Sequence, residues 1–204
     1  MSEADAAEEF GPPQGAEFGP RPGEEAVALP AAYDAGLYFV GRVRTPWTRR
    51  EECPRNAAQS DAVCTLEVAP PFVPALRSLT GTTHLIVLYW MDRAPRNLVA
   101  QQPRHAPEPR GTFALRSPAR PNPIAVSVVE LLGIEDGRVR VRGLDCLDGT
   151  PLLDIKPYFA STDARPQARV GWREADAACE TDAPHGADAT GDEVSGRAGG
   201  RAAP

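Results

Sequence analysis

The chain has 204 residues, 42% of them hydrophobic, with 22 basic and 28 acidic side chains and a formal net charge of −6. That is apolar enough for one ordinary core, yet no stretch approaches the ~20 consecutive apolar residues that cross a bilayer. The start, MSEADAAEEF, has neither a basic nor an apolar targeting region, so the expectation is a cytoplasmic protein with no membrane partner.

The charge is unevenly spread. Residues 1–35 carry one basic and eight acidic side chains, residues 175–204 two and six, and residues 36–174 nineteen and fourteen, so the middle is basic between acidic ends. Both ends are rich in Ala, Gly, Pro and acid and poor in large apolar residues, and they cannot bury enough surface to offset the entropy of ordering. They are expected to be disordered tails, 1–35 and 175–204, around a folded domain at 36–174. Cys53, Cys64, Cys146 and Cys179 show no metal-ligand spacing, and with only three histidines no metal site is expected.

In chain order, LYFVGRVR (37–44) reads as a first strand that breaks at Thr45-Pro46. VCTLEVA (63–69) alternates as a second, and Pro71–Leu79 offers at most a short helix after prolines. THLIVLYWM (83–91) is nearly continuously apolar, which suits a strand buried on both faces or at an interface. Four prolines make 93–109 a long loop. GTFALR, IAVSVVELLGI and RVRVRGLD read as three more strands, the last two joined at a Glu135-Asp136-Gly137 turn. The expected fold class is therefore mainly β, a single compact β-barrel with few short helices.

Two proline-studded blocks interrupt this pattern with charge. In RGTFALRSPARPNPIAVS, Arg116 and Arg120 flank a proline turn and would suit a carboxylate or phosphate, or Arg116 would brace the barrel against a core carboxylate. Asn122 between two prolines is free to bond a turn or a ligand. In LDCLDGTPLLDIKPY, Asp148-Gly149 reads as a tight turn before an extended segment. Asp145, Asp148 and Asp154 suit a ribose acceptor, a counter-charge or a general base, or else two Asx turns and an Asp154–Lys156 surface pair. Lys156, the only lysine, would bind an anion or anchor the loop. His84 reads as a core histidine. Tyr89, Trp90, Met91 and Asp92 suit either a packed core or stacking on a purine beside a carboxylate.

The run GRVRTPW…CPRN, the strand HLIVLYWMD and the blocks RGTFALRSPARPNPI and LDGTPLLDIKPY resemble the TsaA-like (TrmO) family in order and spacing, over about Leu37–Tyr158. The resemblance implies an S-adenosylmethionine-dependent methyltransferase on a β-barrel, usually a homodimer with the cofactor near the subunit interface. It further implies N6-methylation of threonylcarbamoyladenosine next to the anticodon, with the tRNA anticodon loop as partner. The alternatives are a small-molecule methyltransferase of the same fold and a non-catalytic cofactor-binding module. Carried over by position, the cofactor would be held by Pro54, Arg55, Asn56, Met91, Asp92, Arg116, Ser127, Val128, Asp145, Cys146, Leu147 and Asp148. Arg120, Asn122, Lys156 and Tyr158 would face the substrate, and Asp145 or Asp154 would be the base.

Overall fold

A computed structural model describes residues 20–173, apart from 30, 31, 33, 58, 59, 104, 105 and 107. The expected C-terminal tail and residues 1–19 of the N-terminal one lie outside the described residues. Contacts divide the chain into two units, Met1–Pro166 and Gln167–Pro204. The first holds every strand among the described residues.

Six antiparallel strands close a barrel: β2 (Gly41–Arg44), β3 (Val63–Val68), β8 (Arg138–Arg142), β7 (Ile124–Glu135), β4 (His84–Trp90) and β9 (Thr150–Pro157), the last pairing back onto β2. Closure satisfies the backbone groups that an open edge would leave unpaired. Inward positions are filled by Val43, Leu66, Leu85, Val87, Val129, Val139, Val141, Leu144 and Leu152, each 1% exposed or less. A barrel this small has room for side chains and no channel.

The β7–β8 hairpin turns on Asp136 and Gly137, whose φ values of 46° and 77° give the left-handed two-residue turn that an Asp-Gly pair favours. β4 is not buried on both faces as one expectation had it. Leu85, Val87 and Tyr89 are buried, while Ile86, Leu88 and Trp90 alternate with them on a half-exposed outer face. His84, expected in the core, is exposed beside the Thr83 hydroxyl.

Three further expectations need correction. The helix expected at 71–79 is a 3-10 segment, Pro70–Leu76, because Pro70, Pro71 and Pro74 have no N–H for an α-helical ladder. The GTFALR strand is cut to β6 (Arg110–Gly111), followed by a 3-10 turn at Thr112–Ala114, where the buried Thr112 hydroxyl donates to Leu98 O at 3.0 Å. Finally, the loop at 93–109 contains β5 (Leu98–Gln101), which pairs with β6 and with β1 (Glu25–Ala26) in a separate sheet of three strands. Residues 25 and 26 thus pair as a strand, though they fall in the expected N-terminal tail.

Candidate functional site

The strand registers place most of the functional candidates at one end of the barrel. β2 ends there at Arg44, β4 at Trp90 and β8 at Arg142, while β7 starts at Ile124 and β9 at Thr150. The loop after β2 and the 143–149 loop before β9 both open at this end.

The 143–149 loop is tied to the barrel by its own polar groups. Asp148 Oδ1 accepts the Thr45 N–H at 3.1 Å, and the Asp148 N–H donates to Trp47 O at 2.7 Å. Thr45 Oγ1 donates to Cys146 O at 2.9 Å, and Thr150 Oγ1 donates to Leu147 O at 2.7 Å. Cys146 is buried, and that burial pushes its thiol up to about 12. The second Asp148 oxygen faces Arg44 at 3.5 Å, a pair open to solvent and weaker than the Arg44–Glu67 contact at 2.7 Å.

The loop brings Asp145, half-buried, to the barrel mouth. Tyr89, on the inner face of β4, donates its hydroxyl to Asp145 Oδ1 at 2.9 Å and lies 3.0 Å from Ser127 Oγ of β7. Tyr89 is 2% exposed and Ser127 7%, so this is a buried polar cluster in an apolar barrel. Burial first, then the Asp145 charge, raises the Tyr89 pKa, which keeps the phenol protonated. Asp145 also acts on Cys53, whose thiol is pushed up by burial and then by that carboxylate. The half-buried Pro54 and the exposed Arg55 and Asn56 follow directly.

Arg116 is exposed at the same end. β8 pairs with β7 only from Glu130 onward, which leaves the start of β7 with a free edge, and Arg116 donates to Val126 O there at 2.9 Å. Met91 packs on the core two residues beyond Tyr89, with its N–H on Pro123 O, and Asp92 is exposed.

Other expected residues make contacts of their own. Arg120 does not join Arg116 around a shared anion. Its guanidinium donates to Ser117 O at 2.8 Å, to Thr112 O at 3.2 Å and to Leu115 O, bracing its own loop. Asn122 is exposed, and its carbonyl accepts the Ile124 N–H. Ser127 and Val128 sit on opposite faces, Val128 being 50% exposed on the outside. Asp154 pairs with Lys156 as the surface alternative described, and β9 carries both away toward Tyr158, whose N–H donates to His84 O at the far end.

Sequence reasoning left Tyr89 with the packed core. The usable signal was parity. Leu85, Val87 and Tyr89 share the inner face of β4, and a phenol placed there must find a hydrogen-bond partner. Arg96 was missed as well: it latches the proline loop through Pro121 O at 2.8 Å and stacks 5.3 Å from the Trp90 ring.

Residues 42–164 match the family described as tRNA-methyltransferase O N-terminal domain. The chain belongs to this family. Of its relatives, a probable S-adenosyl-L-methionine-binding protein VirR of Rhizobium radiobacter is 47% identical over 137 residues, which is 67% of this chain and 78% of that one. A putative S-adenosylmethionine-dependent methyltransferase RcsF of Pseudomonas aeruginosa is 39% identical over 67% of this chain and 62% of its own length. The crystal structure of TrmO from Pseudomonas aeruginosa superposes with a TM-score of 0.57 at 37% identity, covering 68% of this chain and 62% of that one. The chain therefore spans less than two thirds of that TrmO structure. Among the described residues, no cluster of side chains suits a metal ion and no helix is long and apolar enough to cross a membrane.

Proposed function

We propose that the chain is an S-adenosylmethionine-dependent methyltransferase that methylates N6 of threonylcarbamoyladenosine next to the anticodon of tRNA. The observation that carries the reading is the Tyr89–Ser127–Asp145 cluster, framed by the loops at 53–56 and 143–149 in a member of this family. The donor set fits the cofactor. A carboxylate held at the barrel mouth suits a ribose hydroxyl or a sulfonium cation, and Met91 offers apolar contact. Bound there, the cofactor supplies an electrophilic methyl group.

The chain's own residues do the rest. Asp145, Asp148, Ser127 and the backbone of 145–148 bind and orient, with Pro54, Arg55 and Asn56 closing the near side. Positioning contributes most of the rate in such a transfer. The acceptor nitrogen is acidified by its carbamoyl neighbour, so a carboxylate suffices as the base, and Asp145, the carboxylate bonded to Tyr89, is the candidate. Arg116 keeps donors for an anionic group of the substrate beyond its bond to Val126 O.

The homodimer expected of the family would close on the outer face of β4 and β7. There Ile86 pairs with Val128, Leu88 with Val126 and Trp90 with Ile124, and the three β7 residues are 41–50% exposed. A contiguous apolar face of this kind is a common protein–protein contact. Asp154 and Lys156 border it on β9, so a second copy is the route by which they reach a site. Val126→Asp is expected to convert a dimer to a monomer in sedimentation velocity, whereas a wild-type chain that is monomeric at tens of micromolar removes this face from the reading.

The deciding assay supplies labelled S-adenosylmethionine and tRNA from cells lacking the methylated nucleoside, with the product read by nucleoside mass spectrometry. Methyl transfer to threonylcarbamoyladenosine is expected. Cofactor binding without transfer to tRNA would move the acceptor to a small molecule, and no cofactor binding would remove the enzymatic reading altogether.

A further inference from the structure

Burying a phenolic hydroxyl in a barrel of Leu and Val is costly unless it is bonded, and phenylalanine would fill the same space without that cost. Tyr89 is 2% exposed and keeps its hydroxyl between two polar partners on different strands and loops. The directions of these bonds follow from chemistry. A carboxylate only accepts, so the single phenolic proton goes to Asp145 Oδ1. Ser127 must then donate to the phenol oxygen, giving a relay from Ser127 through Tyr89 to Asp145.

This relay occupies one oxygen of Asp145 and fixes the rotation of its carboxyl plane, leaving Oδ2 to meet a ligand. Asp145 comes from the 143–149 loop, whereas Tyr89 belongs to a rigid strand flanked by β7 and β9. The strand thereby sets the angle of a group that the loop alone would leave free to turn. We infer that Tyr89 is a positioning residue of the cofactor site, acting on S-adenosylmethionine through Asp145 with Ser127 as its anchor.

The inference rests on the assignment of Asp145 to the cofactor site, and a double-mutant cycle separates the two. Tyr89→Phe, Asp145→Asn and the double variant of the full chain are titrated with S-adenosylmethionine by calorimetry, with circular dichroism as the check on folding. A hydrogen bond to a charged group predicts a loss of affinity of about 10-fold for Tyr89→Phe. A larger loss is expected for Asp145→Asn. In the Asp145→Asn background, removing the hydroxyl should change affinity by less than about 2-fold, because the group it positions has already lost its charge.

Wild-type affinity in Tyr89→Phe, beside a weakened Asp145→Asn, overturns the positioning role and leaves the site standing. The same holds if the Tyr89→Phe loss is equal in both backgrounds, or if the variant does not fold, since either result makes Tyr89 a packing residue. Wild-type affinity in Asp145→Asn overturns the site assignment itself.

Discussion

The two ends of this barrel are held by different chemistry. At the end away from Asp145, main chain meets main chain. Val68 N–H donates to Gly137 O, Ala69 N–H to Val40 O and Val40 N–H to Leu152 O, each between 2.8 and 2.9 Å, while the Pro70–Leu76 segment brings Val73 against the hairpin turn. At the Asp145 end, main-chain bonds such as Asp148 N–H to Trp47 O are joined by side-chain ties through Thr45, Asp148, Thr150, Tyr89 and Ser127. Backbone contacts are indifferent to most substitutions but intolerant of added bulk. Side-chain ties are the reverse, so one end can vary its chemistry while the other keeps the barrel shut.

Gly41 tests this division with the largest expected effect. It lies in β2 between β3 and β9, and a methyl group there would sit 2.0 Å from Glu67 O and 3.0 Å from Val68 Cα. Both are backbone atoms of β3, and β2 is paired on both sides, with β3 and with β9, so it cannot slide away from the clash. Gly41→Ala is expected to cost about 3 kcal/mol or more, the upper range for overpacking. Its melting temperature should fall by on the order of 10 °C. A variant melting within two or three degrees of wild type would mean that this end relaxes as readily as the other, and the contrast would fail.

The barrel was legible because its strands carry strong local signals. VCTLEV and RVRVR alternate, and Asp136-Gly137 can turn only one way between two strands. β1 and β5 were hidden because their two and four residues lie among prolines with little periodicity of their own, while β6 is the stub of the expected GTFALR strand. They are specified by remote partners, as when Thr112 reaches Leu98. The candidate site was half legible. Asp145, Asp148 and Ser127 stand in motifs, and the structure brings them to one barrel end. Arg120 looked like a ligand-binding cation because a sequence does not reveal that three nearby carbonyls take up its Nε and Nη2 donors. Asp154 and Lys156 shared a block with Asp145, and proximity along the chain hid the fact that β9 carries them off.

Asp148 offers the finest test, because it belongs to both descriptions. As a loop anchor it accepts from Thr45 and faces Arg44, and as a proposed cofactor contact it should need its negative charge. Asp148→Asn separates these. The amide oxygen can still accept the Thr45 N–H, and the Asp148 N–H to Trp47 O belongs to the backbone and is untouched. What disappears is the charge facing Arg44, whose pKa is raised first by its bond to Glu67 and only weakly by Asp148. Glu67 remains, and the lost pair is solvent-exposed, so the stability change should stay within about 0.5 kcal/mol. If the charge also serves the ligand, affinity for S-adenosylmethionine falls several-fold in a protein that melts like wild type. A drop in melting temperature with unchanged affinity would instead make Asp148 part of the scaffold, and the side-chain end would then hold its ligand through Asp145 and its Tyr89 relay.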